Sequence, residues 1–568
     1  MKTANAAWFP LASIAALALV PVLAYAAFGY AGHDFDFHVS SWLELHNSWR
    51  AGHLAPGWAS LANYRLGDPH LGMYPPVSLI AGGLLALLLP LRLAPAAFVW
   101  IALTLSGLSM YYACRRFVEQ QTRLIAAALY MLSPYLVMTA LVRYAAGELL
   151  VQAWLPLILL WFYATVWRKD KRALLLLGSL LGLSWLTNIP ESIVMLYALT
   201  IVACAIAVAQ RSLVPLTRVL LAETLGAALA AFYLAPLWRE RFWINHQDLY
   251  LTRPTRYLLF SHYQAGGVEI LKVFKYSVWI VVCAGTLLIA AGLWKRTEPW
   301  RRDPAATTWL FFSAVALFFQ LPISLVLWQH LPQMRAVQLP FRFLPFIGVT
   351  IPFVLLAPAT MSSLRRPAYV LIALLTLLPL FEHYRTQTTR SRREPPVTVQ
   401  AQRWQNEGYS GMAEYIPAGE TRPTSPQHFA PAAPANPQPG QTCDLSPSPA
   451  VPGELSFISA ANAPCKVRLA VYFYPYWQAV DESGVSLPTS SDAQGLLIVS
   501  APAGVHGVHV VFRPHSRLRV ASAVVSLAML LVTGLAFAWV RSGESNTSRL
   551  KREIDQGLAA AKIVPGLS

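Results

Sequence analysis

The chain has 568 residues, of which 56% are hydrophobic and only 12% charged. Soluble proteins carry roughly 25% charged residues, so a soluble enzyme is excluded; the many apolar runs long enough to cross a bilayer indicate a polytopic α-helical membrane protein. The formal charge of +17 does not indicate nucleic acid, because the basic residues fall in short loops between apolar runs, the pattern of cytoplasmic loops.

Lys2 precedes the first apolar run, Ala6 to Phe28, which puts the N-terminus in the cytoplasm. That run is long and lacks a cleavage pattern followed by a soluble domain, so it is read as a span. Just beyond it stands Gly32-His33-Asp34-Phe35-Asp36-Phe37-His38. Carboxylates and imidazoles at a bilayer surface are costly beside lipid, so they face water or a buried site. In an extended chain Asp34, Asp36 and His38 share one side; in a helix Asp34 and His38 still share a face and Asp36 does not. The loop continues through Trp42, Trp49 and Trp58 to Tyr64-Arg65-Leu66-Gly67-Asp68-Pro69 and Tyr74-Pro75-Pro76. Trp at this level suggests interfacial helices lying on the membrane.

Three apolar runs follow: Pro75 to Leu93, Pro95 to Ala113 and Leu124 to Val142. Counting all three as spans would put Arg115 and Arg116 outside and separate Asp34 from Arg143 and Glu148. The positive-inside pattern allows two crossings, so Pro75 to Leu93 is read as a helix of the external loop that does not cross. Arg143-Tyr144-Ala145-Ala146-Gly147-Glu148 then faces Asp34. The remaining loops alternate: Trp167 to Arg172 inside, Thr187 to Glu191 outside, Arg211 to Arg218 inside, Trp238 to Lys275 outside, Trp294 to Asp303 inside, Trp328 to Arg342 outside, Ser362 to Arg366 inside. A span ending near Glu382 delivers a long external segment, and Val520 to Val540 returns the chain to a cytoplasmic tail. The sum is about twelve crossings with both termini inside, by the ~20-residue criterion.

The expected organisation is a membrane domain over 1–382 with a first external loop at 30–94, then an external segment with a Pro-rich linker at 383–453. A β-sandwich-like module at 454–515 follows, read from short alternating runs such as Val467 to Tyr474 and Val505 to Phe512. A last span at 516–541 and a tail at 542–568 complete the chain. Cys443 and Cys465 are the only cysteines in the external segment, so one intramolecular pairing is possible there. A disulfide is expected; closing a loop of around twenty residues contributes about 3 kcal/mol in the chain-entropy model.

The order of these motifs resembles the GT-C glycosyltransferases, integral-membrane enzymes that include oligosaccharyltransferases and the aminoarabinose transferases of lipid A. The nearest branch is a bacterial one labelled as 6-pyruvoyl-tetrahydropterin-synthase-related membrane proteins. The residues that carry the resemblance are Leu66-Gly67-Asp68-Pro69 with Tyr74-Pro75-Pro76, Arg143 to Glu148, Gln338-Leu339-Pro340-Phe341-Arg342, and Tyr474-Pro475-Tyr476-Trp477 with Pro502 to His506. No pterin-synthase domain or His-rich zinc signature accompanies the label, and a Trp-Trp-Asp motif is missing. The resemblance implies transfer of a sugar from a polyprenyl-phosphate-linked donor to an extracytoplasmic acceptor, at the outer face of a bacterial cytoplasmic membrane.

The residue types suit that chemistry. The acceptor hydroxyl needs a base, for which Asp34 is the candidate and Asp36 the alternative. The leaving phosphate needs cationic donors, for which Arg143 and Arg342 are candidates, with Arg335 behind them and His38 also facing substrate. Glu148 orients the acceptor or, with Asp34, holds a divalent cation such as Mg2+ or Mn2+; the metal is left open. The competing classes are a transporter or flippase, and a polysaccharide-assembly protein with an external glycan-binding module.

Overall fold

The computed structural model describes residues 5–30, 32–250, 254–260, 279, 281–286, 304–356, 381, 395–427 and 429–561. Five helical stretches among them are long and apolar enough to cross a bilayer: Ala94–Arg116, Gln120–Arg143, Ala146–Trp167, Ile189–Gln210 and Arg517–Val540. Two bent pairs, Val214–Leu229 with Ala231–Trp243 and Pro304–Phe318 with Pro322–His330, raise the number to seven if each pair is one span. Of the twelve expected crossings, the one between Lys275 and Trp294 is described only at 279 and 281–286 and the one ending near Glu382 only at 381, while the loops Trp294 to Asp303 and Ser362 to Arg366 lie outside the described residues. Prolines mark the helix starts: Pro76, Pro95, Pro190 and Pro215 each sit in a first turn, where a missing N–H leaves no bond unmade.

The apolar run after Tyr74 forms Pro76–Leu88, a helix of 13 residues. At 1.5 Å per residue it is about 20 Å long, short of the ~30 Å hydrocarbon core. It packs against Phe35–Arg50, the amphipathic helix that starts immediately after Asp34. Two of the three tryptophans here, Trp42 and Trp58, are buried in protein rather than placed at a lipid interface as expected. Trp42 is completely buried and stacks on Phe98 at 5.0 Å, and Trp58 packs against Trp477 and Phe512. Protein rings, rather than headgroups, take up their apolar surface. The Leu66-Gly67-Asp68-Pro69 stretch is likewise structural: buried Asp68 pairs with His70 Nδ1 at 2.5 Å and accepts from Asn63 Nδ2 at 2.9 Å, while His70 Nε2 meets Ser41 Oγ at 3.0 Å.

The β module starts earlier than Glu454. It comprises β1 (Ala432–Pro434), β2 (Cys443–Pro447), β3 (Glu454–Ala461), β4 (Cys465–Tyr472), β5 (Trp477–Asp481), β6 (Ser486–Leu487), β7 (Thr489–Ser491), β8 (Leu496–Ala501) and β9 (Gly504–Phe512). All pairings are antiparallel, in two sheets ordered β1-β4-β8-β7 and β2-β3-β9-β5-β6. Val467, Leu469 and Val499 of the first sheet share one core with Phe457, Ala479 and Val510 of the second. The stretch expected as linker thus supplies two strands, because edge strands tolerate the Pro and Ser that made it look unstructured. A disulfide joins Cys443 on β2 to Cys465 on β4, with Cα atoms 6.4 Å apart, and so ties one sheet to the other. Tyr474 docks the module on the helical body, its ring against Trp58 and Trp243.

Glu44 holds the first external loop to the chain that precedes the module. It is 1% exposed, accepts the Leu61 N–H, and lies 3.4 Å from the Tyr409 hydroxyl. Burial pushes its carboxyl from the ordinary 4.5 up to about 7, against the Leu61 hydrogen bond and the neighbouring His70. The folded protein keeps this proton to about pH 7, whereas the unfolded chain releases it near 4.5. The native state therefore binds more protons within that window, and this contribution to stability falls as pH rises through it. Glu44→Gln should flatten the dependence of melting temperature on pH between 5 and 8; a curve parallel to the wild type would remove Glu44 as its source.

Candidate active site

The polar centre of the helical body is assembled where one broken helix turns back on itself. Ser133 is extended and Pro134 starts a new helix, Pro134–Met138, followed by a π-helical turn at Thr139–Arg143. Tyr144 then adopts the left-handed conformation, φ 51°, although it is bulky and buried. Such a backbone persists only where the surroundings enforce it, and it is found disproportionately at functional sites. The reversal lets Ala146–Val151 run back beside the turn, so Arg143 Nη1 pairs with Glu148 Oε1. Gly147 suits the close packing here, since a Cβ would stand 3.0 Å from the Tyr74 hydroxyl and 3.1 Å from Thr187 O.

Arg342 arrives from the opposite side on the short turn Pro340–Phe343. Its Nε donates to Glu148 Oε2 at 2.9 Å and its Nη1 donates to Val337 O. Glu148 is 1% exposed, and Arg143 and Arg342 are 7% exposed each. One carboxylate thus holds two guanidinium groups in a nearly dry setting. The Tyr135 hydroxyl lies within hydrogen-bonding reach of Glu148 Oε1 and, at 3.0 Å, of Glu191 Oε1. Glu191 is also 1% exposed, with its N–H capped by Asn188 Oδ1.

Asp34 joins this centre through the backbone. His33 N–H donates to Val142 O at 3.3 Å and Asp34 N–H to Arg143 O at 2.8 Å. Gly32 permits the approach: a Cβ there would fall 2.4 Å from Tyr144 Cβ. Asp34 Oδ2 stands 3.9 Å from Arg143 Nη2, and Oδ1 is 2.6 Å from His33 Nδ1. Its side chain is 24% exposed, the open member of the group. Burial pulls its carboxyl upward, but the His33 hydrogen bond and the Arg143 charge outweigh that and hold it at about 2. Asp34 is therefore ionised at any physiological pH.

The structure thus brings together Asp34, Arg143, Glu148 and Arg342. It does not bring in the other candidates. Asp36 is exposed, turned from Asp34 by the helical geometry. Arg335 is exposed on Met334–Val337 and forms no ion pair with a carboxylate among the described residues. His38 is 2% exposed, and its Nε2 accepts the Ala146 N–H at 3.1 Å. Burial holds its imidazole down at about 4, so it is neutral and latches the loop to the Ala146 turn instead of meeting substrate from open solvent. A cation shared by Asp34 and Glu148 does not fit these residues. Both Glu148 oxygens are committed to guanidinium groups, and no three of the described His, Cys, Asp and Glu side chains are grouped to hold a metal.

Tyr135 and Glu191 entered the site without being expected there. Glu191 lies in the first turn of Ile189–Gln210, where the helix dipole favours an acid whatever its function. The available signal was an acid at the head of an apolar run, and a Tyr directly after a Ser-Pro break in another. Tyr135 also lines a small apolar cleft, together with Leu129, Ser133, Val281, Leu344 and Ile351 among others.

Removing one partner of a buried ion pair typically costs about 3–5 kcal/mol, because the other charge is left unpaired. Glu148→Gln should therefore lower the melting temperature of the purified protein clearly, while Arg335→Gln should match the wild type. Equal melting of the two variants would contradict the bridging role of Glu148.

A family model described as the 6-pyruvoyl-tetrahydropterin synthase related domain of membrane proteins matches residues 71–384, more than half of the chain. The match takes in Arg143, Glu148 and Arg342; Asp34 and the β module lie outside it. No curated protein matches the chain in sequence. Among solved structures it is similar to the arabinofuranosyltransferase AftD from Mycobacteria, at 18% identity over 67% of this chain and 27% of that one, TM-score 0.38. The chain thus spans about a quarter of that protein's length. The oligosaccharyltransferase of Archaeoglobus fulgidus in the apo form is similar at 13% identity over 74% of this chain and 61% of that one, TM-score 0.41. ArnT from Cupriavidus metallidurans bound to undecaprenyl phosphate is similar at 12% identity over 71% and 92%, TM-score 0.28.

Proposed function

We propose that the chain, which belongs to the 6-pyruvoyl-tetrahydropterin synthase related family of membrane proteins, is a GT-C glycosyltransferase that moves a sugar from a polyprenyl-phosphate-linked donor to an extracytoplasmic acceptor. The observation that carries this reading is the pair Arg143 and Arg342, both buried on Glu148, whose partner Tyr135 also lines an apolar cleft. Two guanidinium groups on one carboxylate suit an added anion, and the cleft suits a hydrocarbon chain. A lipid phosphate combines the two.

In this reading the phosphate of the donor lies against Arg143 and Arg342, whose planar forks donate to its oxygens. Glu148 is a positioning residue that keeps the two forks in register. The acceptor hydroxyl attacks the anomeric carbon, the bond from that carbon to the phosphate oxygen breaks, and the electron pair leaves on the phosphate. Asp34 takes the hydroxyl proton. At about 2 its affinity for a proton is low in the empty site. A phosphate bound on Arg143 offsets the charge that depresses it, so the base strengthens once the donor is in place. No metal enters the scheme. We place the site on the outer face of a bacterial cytoplasmic membrane, with both termini cytoplasmic.

Purified protein given labelled polyprenyl-phosphate sugars should release or transfer the sugar. Asp34→Asn should lower transfer by about 10²- to 10⁴-fold, the usual range for loss of an aligned base. Arg342→Lys should also be poor, since an ammonium offers a point charge and not a fork. Because Asp34 stays ionised far below neutrality, its protonation should produce no acidic limb in the rate between pH 5 and 7. Absence of both transfer and hydrolysis with every donor tried would overturn the reading; full activity of Arg342→Lys would reduce the role of Arg342 to charge alone.

A further inference from the structure

Residues 409–420 form a strap held at both ends. At one end Tyr409 N–H donates to Leu61 O at 2.9 Å and Tyr64 N–H to Tyr409 O at 3.0 Å. At the other, Asn245 N–H donates to Ile416 O at 2.9 Å and Ala418 N–H to Trp243 O at 3.0 Å. The Asn245 side chain adds two more bonds, to Gly419 N–H at 2.9 Å and Glu420 O at 2.6 Å. The strap therefore links the first external loop to the loop after Ala231–Glu240, and the turn Ala413–Tyr415 hangs between the anchors.

That turn completes an aromatic shelf. The Tyr415 ring lies parallel to Phe37, with an interplanar angle of 6° and centroids 6.2 Å apart. Phe37 in turn meets Tyr74 edge-on at 5.1 Å. Phe37 is one helical turn from Asp34, so the shelf adjoins the open carboxylate. Phe37, Tyr74 and Tyr415 are all half-buried: each ring is fixed by its neighbours yet keeps some exposed surface. The Tyr74 ring also meets His38 at 5.7 Å, and His38 Nδ1 is a buried polar atom with no hydrogen-bond partner. Glu414, also half-buried, stands at the edge of the shelf. Burial, and then the carboxylates of Asp248, Asp68 and Asp34, raise its pKa against a local backbone hydrogen bond.

We infer that Phe37, Tyr74 and Tyr415, with Glu414 at their edge, form the acceptor subsite, and that it takes the ring of a sugar. Apolar C–H faces of a pyranose or furanose suit half-open aromatic rings, and its hydroxyls suit a partly buried carboxyl. The acids here are not grouped as a cation site among the described residues, which favours a hydroxylated ligand over a metal. Of the subsite residues, Phe37, Glu414 and Tyr415 fall outside the matched region 71–384, as does Asp34, while Tyr74 falls inside it with Arg143, Glu148 and Arg342. This assignment rests on the glycosyltransferase reading for its name as an acceptor site; the carbohydrate site itself can be tested separately.

The experiment is saturation-transfer NMR on the full chain in lipid nanodiscs free of glycoside detergent, with a panel of methyl pyranosides and methyl furanosides as probes. The wild type should transfer saturation to the ring C–H protons of at least one glycoside. Tyr415→Phe should retain that signal, Tyr415→Ala should lose it at least tenfold, and Glu414→Gln should weaken it several-fold. If Tyr415→Ala does not fold, Glu414→Gln alone decides. Absence of transfer to every glycoside in the wild type, or wild-type binding in both Tyr415→Ala and Glu414→Gln, overturns the assignment. A protein that turns over no lipid-linked donor yet binds a glycoside through Tyr415 would lose the glycosyltransferase reading and keep the carbohydrate site.

Discussion

The bridge from Glu148 to Arg143 and Arg342 is the constraint around which the helical body is arranged. Guanidinium groups cannot be stripped of water without an anion and hydrogen-bond acceptors to replace it. Glu148 supplies the anion to both, and Val337 O receives one further N–H of Arg342. The two arginines come from segments almost two hundred positions apart (194 between Glu148 and Arg342), so the bridge also fixes how those segments pack. The energetic balance is tight: without the carboxylate, two like charges would face each other in a poorly hydrated setting. The same tightness makes the site receptive to a second anion.

Backbone geometry delivers the charges. Tyr144 in the left-handed conformation folds Arg143 back over Ala146–Val151, and that fold exposes the carbonyls of Val142 and Arg143 to the chain at His33 and Asp34. The first external loop is thereby hydrogen-bonded to the strained turn, and His38 adds a second latch one helical turn further on, at Ala146 N–H. Asp34 is located by main-chain bonds on one side and a helix start on the other. These bonds fix the Asp34 backbone, and its carboxylate is oriented by His33 Nδ1 on one oxygen and Arg143 on the other.

How far the sequence revealed this depends on which physics each residue obeys. The juxtaposition of Asp34 with Arg143 and Glu148 was legible because charge bias in loops fixes topology, and topology decides which loop ends meet. Arg342 was legible only through the resemblance. His38 looked like a surface ligand, but an imidazole serves equally as a buried acceptor for one N–H, and sequence carries no sign of which. Arg335 and Arg342 sit in the same loop, and only the turn at Pro340–Phe343 decides that one points inward. Tyr135 and Glu191 were obscured by the apolar runs around them. The strap was hidden for a different reason. Its composition reads as linker, yet it is held by backbone hydrogen bonds to two other loops, and such bonds leave no pattern in side-chain identity.

The same logic explains why the β module sits where it does. The strap runs into the module, and its far end is held there: Tyr472 hydroxyl donates to Thr421 O at 3.5 Å, while Tyr472 N–H donates to Leu66 O at 2.7 Å. The module in turn is clasped to the membrane helices. Glu240 accepts from Arg519 Nε at 2.8 Å and Nη2 at 2.6 Å, and from the Tyr476 hydroxyl at 2.6 Å, joining a body helix, the module and the last span at one carboxylate. With the two sheets cross-linked by Cys443–Cys465, little in this chain of contacts is left to slide. A module anchored on the body at one side and on the strap at the other acts as a brace for the strap, so its aromatic residues are engaged in docking. Tyr474, 1% exposed, has no face left for a ligand. Half-open rings near Asp34 occur instead at the strap, where Tyr415 meets Phe37, and the brace is what keeps them there.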